Sequence, residues 1–295
     1  MRILWTLRPA DFLTIVFLLF LMAVSLGFHN KIPHVKALVL TYAVLFLVQF
    51  FLIRHREAAV RNRALDMVGS VVFPVVCVLV IFDSLQWLVH DINPGDIDPL
   101  LIRLDYLIFK GYPTVMLESF QNPLVTDMLQ IAYTSYYFLP ISLGVILKLQ
   151  KRDEAFERTV FMILLCFYLS YIGYMLFPAL GPRYTLNHLQ STDLQGLFLA
   201  GPIQELLNRI EGIKRDAFPS GHTGVALVVL GLAYRFHKAF FSIALPVVAM
   251  LIFSTVYCRY HYVVDVIGGV VLAVITFLIG EKYYGYWEVR NNITH

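Results

Sequence analysis

Stretches of apolar residues long enough to cross a lipid bilayer recur along most of the chain. A membrane-spanning helix needs about 20 mostly apolar residues, and eight segments come close to that length. They cover residues 11–28, 35–53, 67–89, 124–148, 160–180, 220–236, 240–257 and 261–280. Only helices and closed barrels satisfy their backbone hydrogen bonds in lipid. The pattern therefore predicts an all-α fold, a polytopic transmembrane helix bundle of about eight spans.

Composition agrees with this prediction and excludes several classes of protein. Of the 295 residues, 59% are hydrophobic and only 15% are charged, and the mean hydropathy is +0.71. Soluble domains carry more charge. The formal net charge of +3 gives no indication of nucleic-acid binding. Cys77, Cys166 and Cys258 are scattered, without the spacing of a metal site or a disulfide framework.

The distribution of basic residues predicts how the chain crosses the membrane. Residues 12–28 follow a basic start, but no small-residue cleavage pattern comes after them, so we expect a retained first helix. Cytoplasmic loops carry an excess of Lys and Arg. Most of the 23 basic residues lie on one side if the N-terminus is inside. We therefore expect both termini in the cytoplasm.

Two long connections then face the outer side. Residues 91–122 mix apolar and polar side chains as in a helix that lies in the interface and roofs the outer face. Residues 181–218 carry several basic side chains, and since long loops follow the charge rule weakly, we expect a solvated loop. Asp83 and Asp127, inside predicted spans, are interpreted as helix–helix partners or cavity lining.

One polar cluster stands at the mouth of the last span, where Arg259, His261 and Asp265 occur in R-Y-H-Y-V-V-D. Ionisable groups inside lipid are costly, so these three should lie at the interface or line a polar cavity. On a helix His261 and Asp265 share one face, and the carboxylate can accept a hydrogen bond from the imidazole. Such a pair is either a nucleophile with its orienting group or a structural fastening between helices.

A second cluster, F-P-S-G-H-T at residues 218–223, precedes the sixth span. Pro at a helix start followed by Ser220 and Gly221 leaves backbone N–H groups free to meet a phosphate or another oxyanion. The alternative is an ordinary helix cap followed by an interfacial histidine, His222.

Topology favours the functional interpretation of both clusters. Arg183 ends the fifth span, His222 opens the sixth and His261 opens the eighth, so all three reach the same outer face. Two histidines, a carboxylate, two arginines and a helix N-terminus suit a phosphoryl-transfer site that needs no metal and no cofactor.

These motifs together resemble those of a known family. P-S-G-H at residues 219–222, followed by H-x-x-x-D at His261 and Asp265, is similar to the type-2 phosphatidic acid phosphatase superfamily, which includes the vanadium haloperoxidases. The resemblance covers the third to eighth spans. It implies a six-helix catalytic domain over residues 65–295, with two added transmembrane helices in residues 1–64.

The resemblance also implies roles for individual residues. His261 would be the nucleophile, Asp265 would orient its ring, and His222 would protonate the leaving oxygen. Ser220 and the backbone at Gly221 would bind phosphate oxygens.

The arginine positions depart from the pattern of the family. Gly181-Pro182-Arg183 is the nearest match to the first motif, but it lacks the upstream Lys. Ser254-Thr255 stands where Ser-Arg is usual, and Arg259 follows later. Arg183 and Arg259 would therefore complete the phosphate site. With P-S-G-H and R-Y-H-Y-V-V-D, this set resembles the inositol phosphorylceramide synthase branch.

The function implied is that of an integral membrane phosphatase or phosphotransferase. It would act on a phosphorylated lipid through a phosphohistidine, at a site facing the periplasm, the exterior or a lumen; a bacterial protein would sit in the inner membrane. Water as acceptor gives a phosphatase, and an alcohol gives a headgroup transferase. A lipid transporter and an inactive scaffold are alternatives of another class, and full activity of His261→Ala would reject the enzymatic interpretation.

Overall fold

The regular elements are helices throughout the part of the chain that the structure describes. The computed structural model describes residues 7–57, 63–210 and 212–293. The α-helices are α1 Pro9–Gly27, α2 Val35–Glu57, α3 Arg63–Met67, α4 Phe73–Ser84, α5 Val89–Ile92, α6 Asp98–Phe109, α7 Pro113–Met116, α8 Pro123–Leu149, α9 Asp153–Leu176, α10 Pro182–Thr185, α11 Ala200–Ile210, α12 Gly221–Phe236, α13 Lys238–Tyr257 and α14 Val263–Ile293. A π-helical turn, Val68–Val72, joins α3 to α4.

The chain is an integral, multi-pass membrane protein, as the sequence predicts. Seven described segments are long and apolar enough to cross a bilayer: α1, α2, Leu65–Trp87, α8, α9, α13 and α14. The expected sixth span, α12, has 16 residues and measures about 24 Å at 1.5 Å per residue. It is therefore shorter than a typical hydrocarbon layer of about 30 Å.

This short helix occupies the centre of the bundle. α12 contacts α8, α9, α13 and α14, and its buried residues belong to the main apolar core. The residue after its C-terminus, His237, lies 3.0 Å from the Gln150 side chain in the α8–α9 connection. α12 thus reaches from His222 to the opposite end of the bundle, and the longer surrounding helices separate it from lipid.

The first two helices are fastened to the bundle through α1. The Phe17 ring stacks on Tyr168 of α9 with centroids 4.2 Å apart, and the hydroxyls of Thr14 and Tyr168 lie 3.1 Å apart. Asp11 accepts hydrogen bonds of 2.6 Å from Gln49 and from Arg56 of α2. The division into residues 1–64 and 65–295 remains a prediction, and residues 58–62 lie outside the described part.

A short helix, α6, holds two buried carboxylates where the sequence predicts an interfacial helix, at the end of the bundle that is predicted to face outward and is here called the outer end. Asp98 accepts hydrogen bonds from the N–H groups of Leu180 and Gly181, at 2.8 and 2.9 Å. Asp105 accepts from the first two N–H groups of α14, those of Val263 and Val264, at 3.0 and 2.9 Å. Because Asp98 and Asp105 are seven residues apart, they share one face of the helix.

Residues 181–218 are more structured than the solvated loop expected from sequence. They contain α10 and α11, and the carboxylate of Asp127 accepts hydrogen bonds from four consecutive N–H groups at the start of α11, those of residues 197–200. The free N–H groups of a helix N-terminus need such acceptors when they are buried. Asp127 is therefore a helix cap, which fixes this connection over the outer end of α8.

The contacts of Asp105 predict that it stabilises the start of α14. Asp105→Ala would leave two N–H groups without their acceptor, and we expect a loss of about 2 kcal/mol. Asp105→Asn keeps one acceptor oxygen and should lose less. Thermal unfolding in detergent measures the effect, with the exposed Arg103→Ala as a control on the same helix. Equal melting temperatures for all four proteins would contradict the prediction.

Candidate active site

A tight turn between α13 and α14 positions His261. The N–H groups of Tyr260 and His261 both donate to the carbonyl oxygen of Thr255, each at 2.9 Å. Arg259 takes a left-handed conformation with φ 66°, which reverses the chain within a few residues. The turn directs His261 inward, where its exposed fraction is 3%.

Asp265 holds the imidazole of His261 from the first turn of α14. Its Oδ2 lies 3.4 Å from Nδ1 of His261 and accepts a hydrogen bond of 2.9 Å from the Tyr262 N–H. Asp265 is fully buried. This contact engages Nδ1, so Nε2 is the ring nitrogen that points away from the carboxylate.

A helix cap positions His222. The Ser220 hydroxyl accepts a hydrogen bond of 3.2 Å from the Thr223 N–H, and the Ser220 N–H donates to the Asp265 carbonyl oxygen at 3.1 Å. Gly269 of α14 allows close contact, because a Cβ there would meet the Ser220 carbonyl oxygen at 2.6 Å and Thr223 Cβ at 2.7 Å. The starts of α12 and α14 are thereby locked together.

The two histidines predicted to be catalytic face each other. Nε2 of His261 lies 3.4 Å from Nδ1 of His222, and the ring centroids are 5.5 Å apart. Nε2 of His222 is buried and has no hydrogen-bond partner among the described residues. The pair thus presents two ring nitrogens to one point, with Asp265 behind the first ring.

Burial strongly affects the protonation of His261. Burial lowers its pKa to about 4, an effect that the negative charge of Asp216 and the backbone at Ala217 oppose and that Arg183 reinforces. His261 is therefore neutral at neutral pH, as a nitrogen nucleophile must be. Burial, which the sequence does not show, is therefore the largest influence on this pKa.

The two predicted arginines lie side by side on the outer side of the histidines. The Arg183 N–H donates to the Arg259 carbonyl oxygen at 3.0 Å, and both side chains line a polar pocket of about 500 Å³ together with Lys214. The Arg183 guanidinium lies 5.1 Å from the centroid of the Tyr260 ring. These cations make the pocket suitable for an anion.

Arg259 also binds the connection that covers the pocket. Its guanidinium donates to the Thr192 carbonyl oxygen at 2.8 Å and lies 3.6 Å from Oε1 of Glu118. Hydrogen bonds from Thr192 and Ser191 hold the pKa of Glu118 below its usual range, so Glu118 is the anionic partner of Arg259. A phosphate that recruits Arg259 therefore competes with this carboxylate.

The conformation of Gly181 brings Arg183 to this place. Gly181 has φ 89°, and a Cβ there would meet the Tyr260 carbonyl oxygen at 2.6 Å. A side chain is therefore excluded both by backbone conformation and by space. Asp98 holds this segment and also accepts a hydrogen bond of 2.8 Å from the Tyr262 hydroxyl. Asp98 thus links the Gly181 segment to the His261 turn.

The phosphate-binding roles of Ser220 and Gly221 remain predictions. Ser220 is fully buried and its hydroxyl caps α12, which is the alternative interpretation of the motif. Gly221, the first residue of α12, lies against Tyr174, since a Cβ there would overlap the tyrosine hydroxyl. Capping does not prevent the Ser220 hydroxyl from donating its own hydrogen.

An apolar cavity of about 190 Å³ approaches the histidines from within the membrane region. It lies between α4, α8 and α9, and His222 and Asp216 are among its lining residues. His222 therefore borders an apolar cavity, whereas Arg183 and Arg259 line a separate polar pocket whose lining includes neither histidine. In the described part of the chain, no three His, Cys, Asp or Glu side chains are grouped to hold a metal ion.

Several residues of the site were not identified from sequence. Asp216 lies two residues before the F-P-S-G-H motif, and its charge close to a cap motif was an available signal. Glu118 gave no such signal, because its role depends on which segments fold against each other. Asp98 and Asp105 could be found only as a seven-residue repeat of carboxylates in an interfacial helix.

Comparisons with known proteins agree with this geometry. Residues 101–279, more than half of the chain, match the model of the PAP2 superfamily. A PA-phosphatase related-family protein of Dictyostelium discoideum is 25% identical over 188 residues, which cover 56% of this chain and 34% of that protein. The chain thus spans about a third of the length of this relative.

A second relative is similar over most of its length. Phosphoinositol dihydroceramide synthase of Bacteroides thetaiotaomicron is 26% identical over 278 residues, which cover 85% of each chain. No solved structure matches. The matched region contains Arg183, the P-S-G-H motif and the His261–Asp265 pair, so the resemblance predicted from these motifs is confirmed, and the chain belongs to the PAP2 superfamily.

Proposed function

We propose that the protein is a lipid phosphotransferase that moves a phosphorylated headgroup from one lipid to the hydroxyl of another through a phosphohistidine. The observation that carries the proposal is the arrangement of His261. Its Nε2 points at Nδ1 of His222 from 3.4 Å, while Asp265 lies behind its Nδ1. This is the geometry of an oriented nucleophile beside a proton donor.

In the first step, Nε2 of His261 attacks phosphorus and the bond to the lipid oxygen breaks. With the anionic phosphate bound beside it, His222 carries a proton and gives it to that departing oxygen. Arg183, Arg259 and the N-terminus of α12 stabilise the charge on the phosphoryl oxygens. The two ring nitrogens are too close to admit a phosphoryl group between them, so the His222 and His261 rings must move apart as substrate enters.

In the second step, an acceptor hydroxyl attacks the phosphohistidine. His222, now neutral, takes the proton of that hydroxyl, and His261 leaves as a neutral imidazole. Each histidine thus returns to its starting state. Water in place of the hydroxyl would give a phosphatase, which is the second candidate, and the catalytic groups are the same in both reactions.

Two features favour transfer over hydrolysis. The exposed fractions of His261 and His222 are 3% and 8%, so bulk water has little access to the intermediate. The outer pocket, at about 500 Å³, is larger than a bare phosphate needs and suits a phosphorylated headgroup. The similarity to a relative named phosphoinositol dihydroceramide synthase points the same way.

The membrane orientation is part of the proposal. Counted with the short helix α12, the chain would cross eight times and return both termini to one side. The excess of Lys and Arg on that side supports its assignment to the cytoplasm. The site would then face the periplasm, the exterior or a lumen.

The test uses purified protein in detergent with phosphatidic acid or phosphatidylinositol, each with and without dihydroceramide. We expect a new headgroup-bearing lipid only when both phosphatidylinositol and dihydroceramide are present. His261→Ala should lower its formation by about 10³-fold or more, because the nucleophile is lost. His188→Ala, an exposed histidine, is the matched control.

Mass spectrometry of the lipids and a free-phosphate assay separate the outcomes. Phosphate release from phosphatidic acid that depends on His261 and ignores the acceptor would replace the transferase with the phosphatase. Full activity of His261→Ala would reject both. Absence of any reaction would favour the transporter or scaffold alternatives.

The lowered pKa of His261 predicts the acidic limit of the reaction. The nucleophile is neutral above its pKa and inactive when protonated below it. Protonation of His261 should therefore not lower the kcat/KM of a phosphodiester substrate above about pH 5. It should lower this kcat/KM as the pH approaches 4. A decline centred near the usual histidine pKa of about 6.5 would contradict this.

A further inference from the structure

The apolar cavity is narrow and long. Its lining on α9 runs from Phe156 to Tyr174, which corresponds to about 27 Å along a helix. On α4 and the preceding π-turn the lining runs from Ser70 to Phe82, or about 18 Å. A lining that extends this far along two helices does not suit a compact ligand. It suits an extended hydrocarbon chain parallel to the spans.

The two ends of the cavity differ chemically. His222 and Asp216 lie at the outer end, beside the reaction centre, whereas Gly144 and Phe156 lie at the inner end. Beyond Phe156, the Lys148 ammonium lies 4.9 Å from the ring centroid and 3.6 Å from the Asp66 carboxylate. The chain of a lipid would therefore enter an apolar space that is closed below by charge.

The wall formed by α4 lies outside the residues that match the family. This wall begins with the π-turn Val68–Val72, which is followed by Pro74. Turns of this kind are frequent at functional sites. On the facing wall, Pro140 interrupts the hydrogen bonding of α8. Both walls are thus irregular along the cavity.

We propose that this cavity binds one hydrocarbon chain of the reacting lipid, and that Gly144 and Phe156 set the longest chain that fits. The proposal rests on the proposed function, since it places the lipid oxygen at His222. A hydrocarbon chain bound in this cavity explains why His222, the proton donor, borders the apolar cavity and not the charged pocket.

The test fills the cavity at two heights. A Cβ at Gly144 would meet Phe156 at an ordinary 3.7 Å. The Gly144→Leu variant should therefore fold, and its side chain should shorten the cavity at the inner end. Val75→Phe should block the wall on α4. Val76→Phe, on the exposed face of the same helix, is the matched control. Melting temperatures in detergent verify folding.

Turnover is measured with phosphatidylinositols carrying dihexanoyl, dioctanoyl or dipalmitoyl chains. Gly144→Leu should lower kcat/KM for the dipalmitoyl lipid by about tenfold or more, since displacing roughly two methylenes has that effect, and should leave the dihexanoyl lipid unchanged. Val75→Phe should affect all long chains, and Val76→Phe none. Identical chain-length profiles in all variants would overturn the proposal.

A binding experiment separates failure of this proposal from failure of the proposed function. Dipalmitoyl phosphatidylinositol with a photoreactive diazirine at one chain terminus should label α8 or α9 near Gly144 and Phe156, whether or not turnover occurs. Val75→Phe should abolish the labelling. Labelling confined to outward-facing positions such as Val76 would reject the cavity as the binding site.

A second inference comes from the rings around His222. The Tyr133 ring stacks on one side with centroids 4.4 Å apart and an interplanar angle of 28°. The Tyr136 ring lies at 4.2 Å and 40°. Because these tyrosines are three residues apart on α8, they project from the same face of the helix and hold the imidazole between them.

Other contacts fix one of these rings. Tyr133 also stacks on Tyr260, with centroids 4.2 Å apart at 20°, and the Tyr260 hydroxyl accepts a hydrogen bond of 2.8 Å from Gln130. The face of an aromatic ring attracts a cation. The two ring faces therefore make the protonated form of His222 more stable than purely aliphatic neighbours would.

We infer that Tyr133 and Tyr136 are positioning residues that aim the His222 ring and support its protonated form. This also rests on the proposed function. Proton donation matters for a poor leaving group, such as a lipid alkoxide, and matters little for p-nitrophenolate. A merely structural role would affect both kinds of substrate equally.

The experiment compares Tyr133→Leu and Tyr136→Leu with the corresponding Phe variants, which keep the ring. The Leu variants should lose about tenfold or more on the lipid substrate and less than about threefold on a p-nitrophenyl ester of the same phosphoryl group. The Phe variants should stay near wild type. His222→Ala should show the same selectivity. Equal losses on both esters would overturn the inference, as would Leu variants that match the Phe variants.

Discussion

Buried backbone N–H groups need acceptors, and at the outer end of this bundle carboxylates provide them. Asp98 binds the N–H groups of Leu180 and Gly181, Asp105 binds the start of α14, and Asp127 binds the start of α11. Asp265 binds the N–H of Tyr262 and faces His261. An irregular backbone near a membrane is stable only where such partners exist. The reaction centre therefore depends on four side chains, three of which are remote in sequence from the histidines.

The position of α12 accounts for the chemistry that the site can support. A short helix surrounded by longer ones places its N-terminus below the outer rim of the bundle, where His222 is buried but still borders a cavity. His261 comes from a turn whose φ at Arg259 is 66° and meets it from the other side. His261 is thereby kept neutral and away from bulk water, while Arg183 and Arg259 lie in the outer pocket. An intermediate formed here would lie closer to the apolar cavity than to bulk water.

Local patterns were sufficient to predict the helical bundle and the core of the site. Periodic apolar runs predicted the spans, and H-x-x-x-D predicted that the Asp265 carboxylate meets the His261 imidazole. The two groups do meet, at 3.4 Å, although His261 lies in the turn before α14 and not on the helix itself. The length of α12 was overestimated by one residue at its start, because Ser220 caps the helix instead of joining it. The outer connection is largely exposed, as predicted, but its helices were not predicted, since its order depends on Asp127, seventy residues away in sequence, and short-range patterns do not contain that contact.

The sequence by itself determined that the chain enters a membrane, that it is helical and which residues are candidates for phosphoryl chemistry, because hydropathy and residue type are local properties. Tertiary structure alone decided that the His222 and His261 nitrogens face each other, that Arg259 is paired with Glu118 and that two tyrosine rings enclose His222. It also decided the pKa of His261, because burial exceeds the opposing effect of Asp216. These properties arise from distances between segments remote in sequence, and packing sets those distances.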